Sequence, residues 1–264
     1  MYNYKMIEMK PKIIVMDLDG TLLDKNKNVS MKTVSIIEEC KKINIKIVLA
    51  TARSKIASKR IASIIKPDFL ILNDGALILN NIDEIIFKKL LTIKTSNGII
   101  NDLMCNRNNV KHIAVETENE YFNTFTEFYH QDWDYGIYYD FSKPLLQESF
   151  KISAEITEKT LPLIIEKKFN ECKLIYNFGE NWYRFIHKEI EKMNAIKIIS
   201  NYLNVDISNI IAFGDDFNDI EMVKNCGIGI AMENGINELK SIAKYICKNN
   251  NKDGVGNWIM ENIL

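Results

Sequence analysis

The stretch IIVMDLDGTLL, residues 13–23, decides the fold of this chain. It begins as a β-branched apolar run, typical of a buried strand, and ends in two acids, Asp17 and Asp19, followed by Gly20. Residues two apart in a strand share a face, so a turn at Gly20 places both carboxyl groups at the carboxyl end of the strand. Because two neighbouring carboxylates repel each other, a bound cation or a reaction would justify the pair.

Three interpretations of this stretch are open when it is taken alone: a magnesium site, a calcium loop and a solvated turn. Magnesium prefers oxygen ligands and keeps waters that a phosphate oxygen can displace. A calcium loop of the D-x-[DN]-x-[DN]-G type fits poorly, because Thr21 and Leu22 follow a glycine that comes directly after the second Asp. The rest of the chain has to decide between the remaining two.

The pattern around this stretch predicts an α/β fold. Apolar strand runs at 12–18, 45–51 and 69–79 alternate with helical patterns that begin after Ser30 and at Ser54. Strands joined by helical crossovers form parallel sheets. The same texture returns after about residue 187, with a helix over 188–204, strands over 209–216 and 227–232, and a further helix over 234–247. We therefore predict a Rossmann-like parallel-sheet core, 1–81 and 187–264, interrupted by an inserted α+β domain, 82–186.

Composition restricts the class of protein. The 264 residues carry a formal net charge of −1, which favours neither nucleic acid nor an anionic membrane as a partner. The five cysteines lack CxxC spacing, so we expect no disulfide framework and no zinc site. The apolar runs are too short to span a membrane, and the N-terminal residues lack an apolar signal region. We expect a soluble cytoplasmic protein, and the pattern leaves monomer and homodimer open.

A second acidic cluster follows the strand pattern IIAFG, residues 210–214. It consists of Asp215, Asp216, Asn218 and Asp219. Helix N-capping explains one or two such residues but not four. Because open α/β sheets bind ligands at the carboxyl ends of their strands, this cluster and the first pair together predict a divalent cation site.

Three further residues are weak evidence of function when each is taken alone. Thr51, in VLATARS, offers a hydroxyl to a phosphoryl oxygen or caps the next helix, and Arg53 reaches a phosphate or caps a helix end. Lys192, in EKMNAI, would by itself be read as part of a solvated helix face.

Taken in order, DLDGTLL, ATAR, Lys192 in EKMNAI, and GDDFNDIEM resemble the four motifs of the haloacid dehalogenase (HAD) superfamily. The resemblance is closest to its Cof-type sugar-phosphatase branch. The insert lies between the second and third motifs, which is similar to the position of the large α/β (C2B-type) cap of that branch. Three positions depart from the usual motifs: Ala52, Met193 and the additional Asp74 in NDGA.

The resemblance implies a role for each matching residue. Asp17 would be the nucleophile that forms an aspartyl-phosphate, and Asp19 the acid and base, while Thr51 and Lys192 would hold the phosphoryl group. The implied Mg²⁺ ligands are Asp17, the backbone carbonyl of Asp19 and Asp215, with Asp219 as a further ligand or an orienting residue. The implied phosphate and substrate side is completed by Gly20, Arg53, Asp74, Gly75 and Asn218.

The function implied is a Mg²⁺-dependent phosphatase acting on small phosphomonoesters, such as sugar phosphates or related metabolites. A phosphomutase of the same fold and a non-catalytic module that binds a phosphate ligand are the alternatives. In the insert, aromatic residues would either stack on the substrate or build the insert's own core. They are Trp133, Tyr135, Tyr138 and Tyr139.

Overall fold

The computed structural model describes residues 10–125, 136–176 and 181–264. The chain divides into two compact units. The core unit combines Met1–Phe87 with Glu191–Leu264, and the insert unit is Lys88–Ile190. The insert predicted from the sequence is 82–186. Its first residue lies six positions before the first residue of the insert unit, and its last residue lies four positions before the last residue of that unit.

The strands and α-helices of the described residues are numbered in chain order. The strands are β1 (Ile13–Met16), β2 (Lys46–Ala50), β3 (Phe69–Leu72), β4 (Leu77–Asn80), β5 (Ile85–Lys88), β6 (Val110–Thr117), β7 (Tyr121–Asn123), β8 (Ile137–Tyr138), β9 (Ser149–Ile156), β10 (Cys172–Tyr176), β11 (Trp182–His187), β12 (Ile210–Gly214), β13 (Ile228–Met232) and β14 (Tyr245–Cys247). The helices are α1 (Met31–Lys42), α2 (Lys55–Ile65), α3 (Ile93–Cys105), α4 (Leu161–Lys168), α5 (Lys192–Leu203), α6 (Ile220–Asn225), α7 (Asn237–Ile242) and α8 (Gly254–Asn262).

The core unit is built on one sheet with the strand order β14-β13-β12-β1-β2-β3-β4-β5. Strands β14 to β3 in this order are parallel, whereas β4 returns antiparallel to β3. Ile13 of β1 is in register with Ile210 of β12 on one side and Lys46 of β2 on the other. The strand that precedes Asp17 therefore lies in the middle of the sheet, and the predicted α/β fold with a parallel-sheet core is confirmed.

Local sequence explains where the first helices begin. The Ser30 side chain accepts a hydrogen bond from the backbone N–H of Thr33, and that of Ser54 accepts one from Ala57, so each serine caps a helix. All four residues of β1 are buried, as expected for a central strand of a parallel sheet. Burying each such Ile or Val side chain contributes about 1.5–3 kcal/mol, which anchors the strand end that carries the acids.

The predicted helix over 234–247 is wrong in its second half. Helix α7 ends at Ile242, and Tyr245–Cys247 forms strand β14, parallel to β13. The apolar run at its end is short enough to suit a strand as well as a helix, and pairing with the exposed edge of β13 decides for the strand.

The insert unit contains a second sheet with the strand order β10-β11-β9-β6-β7-β8. Its pairs are antiparallel except β7 with β8. A hydrophobic cluster joins α3 and α4 to one face of this sheet. Of the four aromatic residues named above, Tyr139 packs against Phe122 and Phe141, Tyr138 is exposed, and Trp133 and Tyr135 lie outside the described residues.

The described helices give no candidate for a membrane span, because none combines the required length with sufficient apolar character.

Candidate functional site

The sheet register brings the two predicted acidic clusters together. Met16 of β1 is opposite Phe213 of β12, and the N–H of Asp17 donates to the Phe213 carbonyl at 3.1 Å. Asp17 and Asp215 therefore leave the sheet at neighbouring strand ends. Asp17, Asp215 and Asp219 each offer a carboxylate oxygen within 4.8 Å of the other two.

Lys192 lies at the centre of this acidic group. It is the first residue of α5 and is only 1% exposed, which contradicts the solvated helix face that the residue alone suggests. Its Nζ donates to Oδ1 of Asp17 at 2.6 Å and to Oδ1 of Asp219 at 2.7 Å. One ammonium group thus links the strand ends of β1 and β12.

Asp219 is fully buried and organises the loop after β12. Its Oδ2 accepts hydrogen bonds from the backbone N–H groups of Asp215, at 2.9 Å, and Asp216, at 3.2 Å. Gly214 permits this approach, since a Cβ there would lie 2.5 Å from the Cβ of Asp219. Both carboxylate oxygens of Asp219 are therefore already hydrogen-bonded, which suits an orienting residue.

The side chain of Asp215 is hydrogen-bonded to the loop that follows β1. The Thr21 hydroxyl donates to Oδ1 of Asp215 at 2.6 Å. Gly20 has a φ of +84°, and a Cβ at this position would overlap the Asp215 carboxylate. The glycine is thus required both by its left-handed backbone and by the close passage of the carboxylate.

Asp17, Asp215 and Asp219 lie close together around the ammonium group of Lys192, and the crowding of negative charge affects the pKa values of Asp17 and Asp215. Burial raises the pKa of Asp17 well above its usual value, against the attraction of Lys192, and repulsion from Asp219 and Asp215 adds to the rise. Burial likewise raises the pKa of Asp215 to about 7. Burial alone would lower the pKa of Lys192, but the attraction of Asp17 and Asp219 outweighs it and raises that pKa.

This donor set fits a divalent cation. Carboxylate oxygens are the ligands that Mg²⁺ prefers, and a second positive centre would offset the charge that Lys192 leaves unbalanced. Asp17 and Asp215 supply oxygens from adjacent strand ends, and Asp219 lies within the same group.

Asp19 has different partners from Asp17. Arg53 donates to both of its carboxylate oxygens, each at 2.7 Å, and Lys27 donates to Oδ1 at 2.7 Å. Burial would raise the pKa of Asp19, but the hydrogen bonds from Arg53 and Lys27 outweigh it and lower that pKa. With its side chain bound in this way, Asp19 would contribute to a cation site through its backbone carbonyl.

The second motif, ATAR, begins at the last residue of β2, and its backbone is hydrogen-bonded to the loop after β3. Thr51 is buried, and its hydroxyl oxygen accepts from the N–H of Arg53 at 3.1 Å. The Thr51 carbonyl accepts from the N–H of Asp74, and the carboxylate of Asp74 accepts from the Asn218 side chain at 3.0 Å. The predicted substrate-side residues Asp74 and Asn218 are therefore joined to each other.

Gly75 has a visible structural role. Its φ is +110°, and a Cβ at this position would lie 2.7 Å from the carbonyl oxygen of Glu191. Glu191 directly precedes Lys192, so Gly75 allows the start of α5 to approach the sheet.

Thr21, Lys27 and Asn234 bind residues of the predicted site through their side chains, although the sequence analysis did not select them. Thr21 belongs to the DGT stretch, so its position next to Gly20 was the available signal. Lys27 lacks such a signal, because isolated lysines are common on surfaces. Asn234 lies more than 200 residues from Gly20, whose carbonyl it binds, and only the fold reveals the contact.

Comparison with known proteins places the chain in a family. The family model described as haloacid dehalogenase-like hydrolase matches residues 14–259, and the chain belongs to this family. The 5-amino-6-(5-phospho-D-ribitylamino)uracil phosphatase YitU of Bacillus subtilis is 26% identical over 276 residues, covering 97% of this chain and 98% of that protein. The enzyme class predicted from the sequence, a HAD-type phosphatase, is confirmed.

Solved structures share the fold over nearly the whole chain. A haloacid dehalogenase-like hydrolase from B. subtilis has a TM-score of 0.82 and 20% identity, covering 96% of this chain and 100% of that one. The HAD subclass IIB sugar phosphatase BT4131 has a TM-score of 0.79 and 19% identity, with coverages of 95% and 98%. At these identities the likeness concerns the fold.

Proposed function

We propose that this phosphatase is Mg²⁺-dependent and hydrolyses small phosphomonoesters, such as sugar phosphates or related metabolites, through an aspartyl-phosphate at Asp17. The observation that supports this most directly is the buried Asp17 carboxylate, bound by Lys192 and within 4.8 Å of Asp215 and Asp219. Such an arrangement holds a nucleophile in place and supplies charge for a phosphoryl group.

In the first half-reaction, Asp17 attacks the phosphorus atom. Its Oδ1 accepts a hydrogen bond from Lys192, so we assign the attack to Oδ2. The new oxygen–phosphorus bond replaces the bond to the leaving alcohol, whose oxygen takes a proton from Asp19. Lys192 and the hydroxyl of Thr51 are assigned to the phosphoryl oxygens, and a bound Mg²⁺ would offset their charge.

In the second half-reaction, water attacks the phosphorus and Asp19 takes its proton. The products are inorganic phosphate and the free Asp17 carboxylate. The hydrogen bonds from Arg53 and Lys27 keep the pKa of Asp19 low, so its carboxyl group is in the ionised form that a base requires. Arg53 is a positioning residue for Asp19, because it donates to both carboxylate oxygens. To act as the acid in the first step, the Asp19 carboxyl group has to carry a proton and separate from Arg53.

The names of similar proteins support the substrate class. One relative is named for a phosphate ester of a ribityl-substituted uracil, and one structural neighbour is named a sugar phosphatase. Both names describe a phosphate on a polyhydroxylated carbon chain. We assign the choice among such leaving groups to the insert unit, following the resemblance of its position in the chain to a HAD cap.

The test is phosphate release from p-nitrophenyl phosphate and a panel of sugar and nucleotide-precursor phosphates, with Mg²⁺ and with EDTA. We expect release only with Mg²⁺. Asp17→Asn should abolish turnover with little change in melting temperature, and Asp19→Asn should slow both formation and breakdown of the phosphoenzyme. Substantial activity in Asp17→Asn would contradict the nucleophile assignment, and full activity in EDTA would contradict the metal requirement.

A further inference from the structure

We infer that Asn234 is a positioning residue that orients the Asp215 carboxylate for Mg²⁺, acting through Gly20 and Thr21. The inference rests on the proposed Mg²⁺ site and extends it to a turn far away in the sequence. Asn234 lies in the turn between β13 and α7 and is exposed, so it does not contribute to the hydrophobic core.

The side chain of Asn234 has a defined orientation. Its Nδ2 donates to the carbonyl of Gly20 at 2.7 Å, while its Oδ1 accepts from the backbone N–H of Asn250 at 3.0 Å. Because one end of the amide has to accept and the other has to donate, these two partners determine which way the amide points. Asn250 also holds the same loop directly, through a hydrogen bond from its side chain to the Leu23 carbonyl at 2.8 Å.

The Gly20 carbonyl belongs to the peptide unit that leads into Thr21. Fixing this carbonyl therefore fixes the plane of the peptide from which the Thr21 side chain starts. Gly20 needs such a partner more than most residues do, since glycine has the widest choice of backbone conformations. The Thr21 hydroxyl then donates to Oδ1 of Asp215 at 2.6 Å, so the orientation of Asn234 reaches the carboxylate in two steps.

The same turn also holds the backbone of Asp215. The N–H of Ile236 donates to the Asp215 carbonyl at 2.9 Å. Gly235 passes so close that a Cβ there would lie 2.9 Å from that carbonyl oxygen. The segment Asn234–Ile236 is thus hydrogen-bonded to both acid-bearing loops, to one at Gly20 and to the other at Asp215. Residues that orient metal ligands from behind typically change metal affinity by about 10- to 100-fold when they are replaced.

The test measures Mg²⁺ binding to the full-length protein without substrate, by calorimetric titration and by the Mg²⁺-dependent shift in melting temperature. Asn234→Asp keeps the size of the side chain and removes the donor to Gly20, and Asn234→Ala removes both hydrogen bonds. We expect each to weaken Mg²⁺ binding by about 10-fold or more. The matched control is Asn251→Ala, which removes a similar exposed hydrogen bond, from the N–H of Lys25, in the neighbouring segment. It should bind Mg²⁺ like the wild type.

A double-mutant cycle separates positioning from a general loss of stability. Thr21→Val breaks the link to Asp215, and Thr21→Ser restores the hydroxyl. Once Thr21→Val is present, Asn234→Asp should weaken Mg²⁺ binding by much less than 10-fold, because both changes act on the same carboxylate. Additive effects, or wild-type affinity in both Asn234 variants, would overturn the inference while leaving the metal site intact. A wild-type protein that does not bind Mg²⁺ would overturn the metal site and the inference together.

Discussion

Lys192 occupies an uncommon place for an ammonium group, because lysine is among the residues least often fully buried. Its burial is tolerated because two carboxylates, Asp17 and Asp219, accept its hydrogen bonds. A buried ion pair seldom adds much stability by itself, but removing one partner leaves the other charge without compensation. At the scale of single residues, the site therefore depends on a balance of charge that one substitution can upset.

Lys192→Met should remove activity and destabilise the protein. The two carboxylates would lose their shared cation, which costs about 3–5 kcal/mol when a buried pair is broken. Loss of one preorganised donor to the phosphoryl group typically lowers kcat by about 10²- to 10³-fold. The measurements are phosphatase kinetics and denaturant unfolding.

The matched control for that change is Lys197→Met. Lys197 lies on the same helix but is exposed, so its loss should alter the free energy of unfolding by no more than about 0.5 kcal/mol. If both variants behaved alike, the central role of Lys192 would have to be abandoned.

At the scale of elements, the site is assembled from loops that follow parallel strands and from the start of one helix. Strands β1 and β12 present Asp17 and Asp215 side by side because they are neighbours in the sheet, and α5 adds Lys192 from its first turn. The approach of α5 depends on the loop between β3 and β4, where Gly75 passes beneath the Glu191 carbonyl. This loop therefore influences the position of Lys192 through the backbone.

Gly75→Ala should displace the start of α5 and with it Lys192. The left-handed backbone at this position costs a residue other than glycine about 1–2 kcal/mol, and the added methyl group would press on the Glu191 carbonyl. We expect the melting temperature to fall by roughly 2–4 °C for each kcal/mol lost. We also expect kcat to fall by more than KM changes, because Lys192, which we propose binds the phosphoryl group, would move. Wild-type kcat in a destabilised variant would show that α5 does not depend on this contact.

At the scale of the whole molecule, the acidic group links stability to pH and to metal. The pKa of Asp215 is about 7 in the folded protein, against an ordinary value of 3.8. Between these values the folded state holds a proton that the unfolded state has lost, so the contribution of Asp215 to stability falls as pH rises through this window. Asp17 acts in the same direction, since its pKa is also raised.

In EDTA, the wild type should therefore lose stability relative to Asp215→Asn as the pH rises from 5 to 8. The comparison with the variant separates Asp215, together with its effect on Asp17, from distant titrating groups such as His187, whose lowered pKa acts in the opposite direction. The measurement is urea unfolding at each pH. A constant difference between the two proteins across this range would contradict the raised pKa of Asp215.

Mg²⁺ should reverse this loss in the wild type. Binding to the folded state alone raises the free energy of unfolding, by about 2.7 kcal/mol at a hundredfold excess over Kd. The gain should grow with pH, because the ligands have to be deprotonated, and it should be much reduced in Asp215→Asn. An equal gain in both proteins would place the cation elsewhere.

The sequence by itself determined the α/β class, the acid-bearing strand ends and the family. Each of these is recorded in local patterns: β-branched runs predict strands, serine caps predict helix starts, and DLDGTLL and GDDFNDIEM are the most specific of the four motifs whose order along the chain indicates the family. The true end of the helix predicted over 234–247 could not be predicted from local sequence. Its last residues became β14 because the edge of β13 was available for pairing.

Only the tertiary structure decided the partners of the acids. The sequence marked Lys192 only through its place among the motifs of the family, and its burial beside the acids followed from the packing of α5. Lys27 and Asn234 carried no signal in the sequence. The physical reason is that burial, charge balance and pKa depend on distances between groups far apart in the chain. Asn234 and Gly20 are separated by 214 positions yet share a hydrogen bond, and that contact exists only after the sheet has formed.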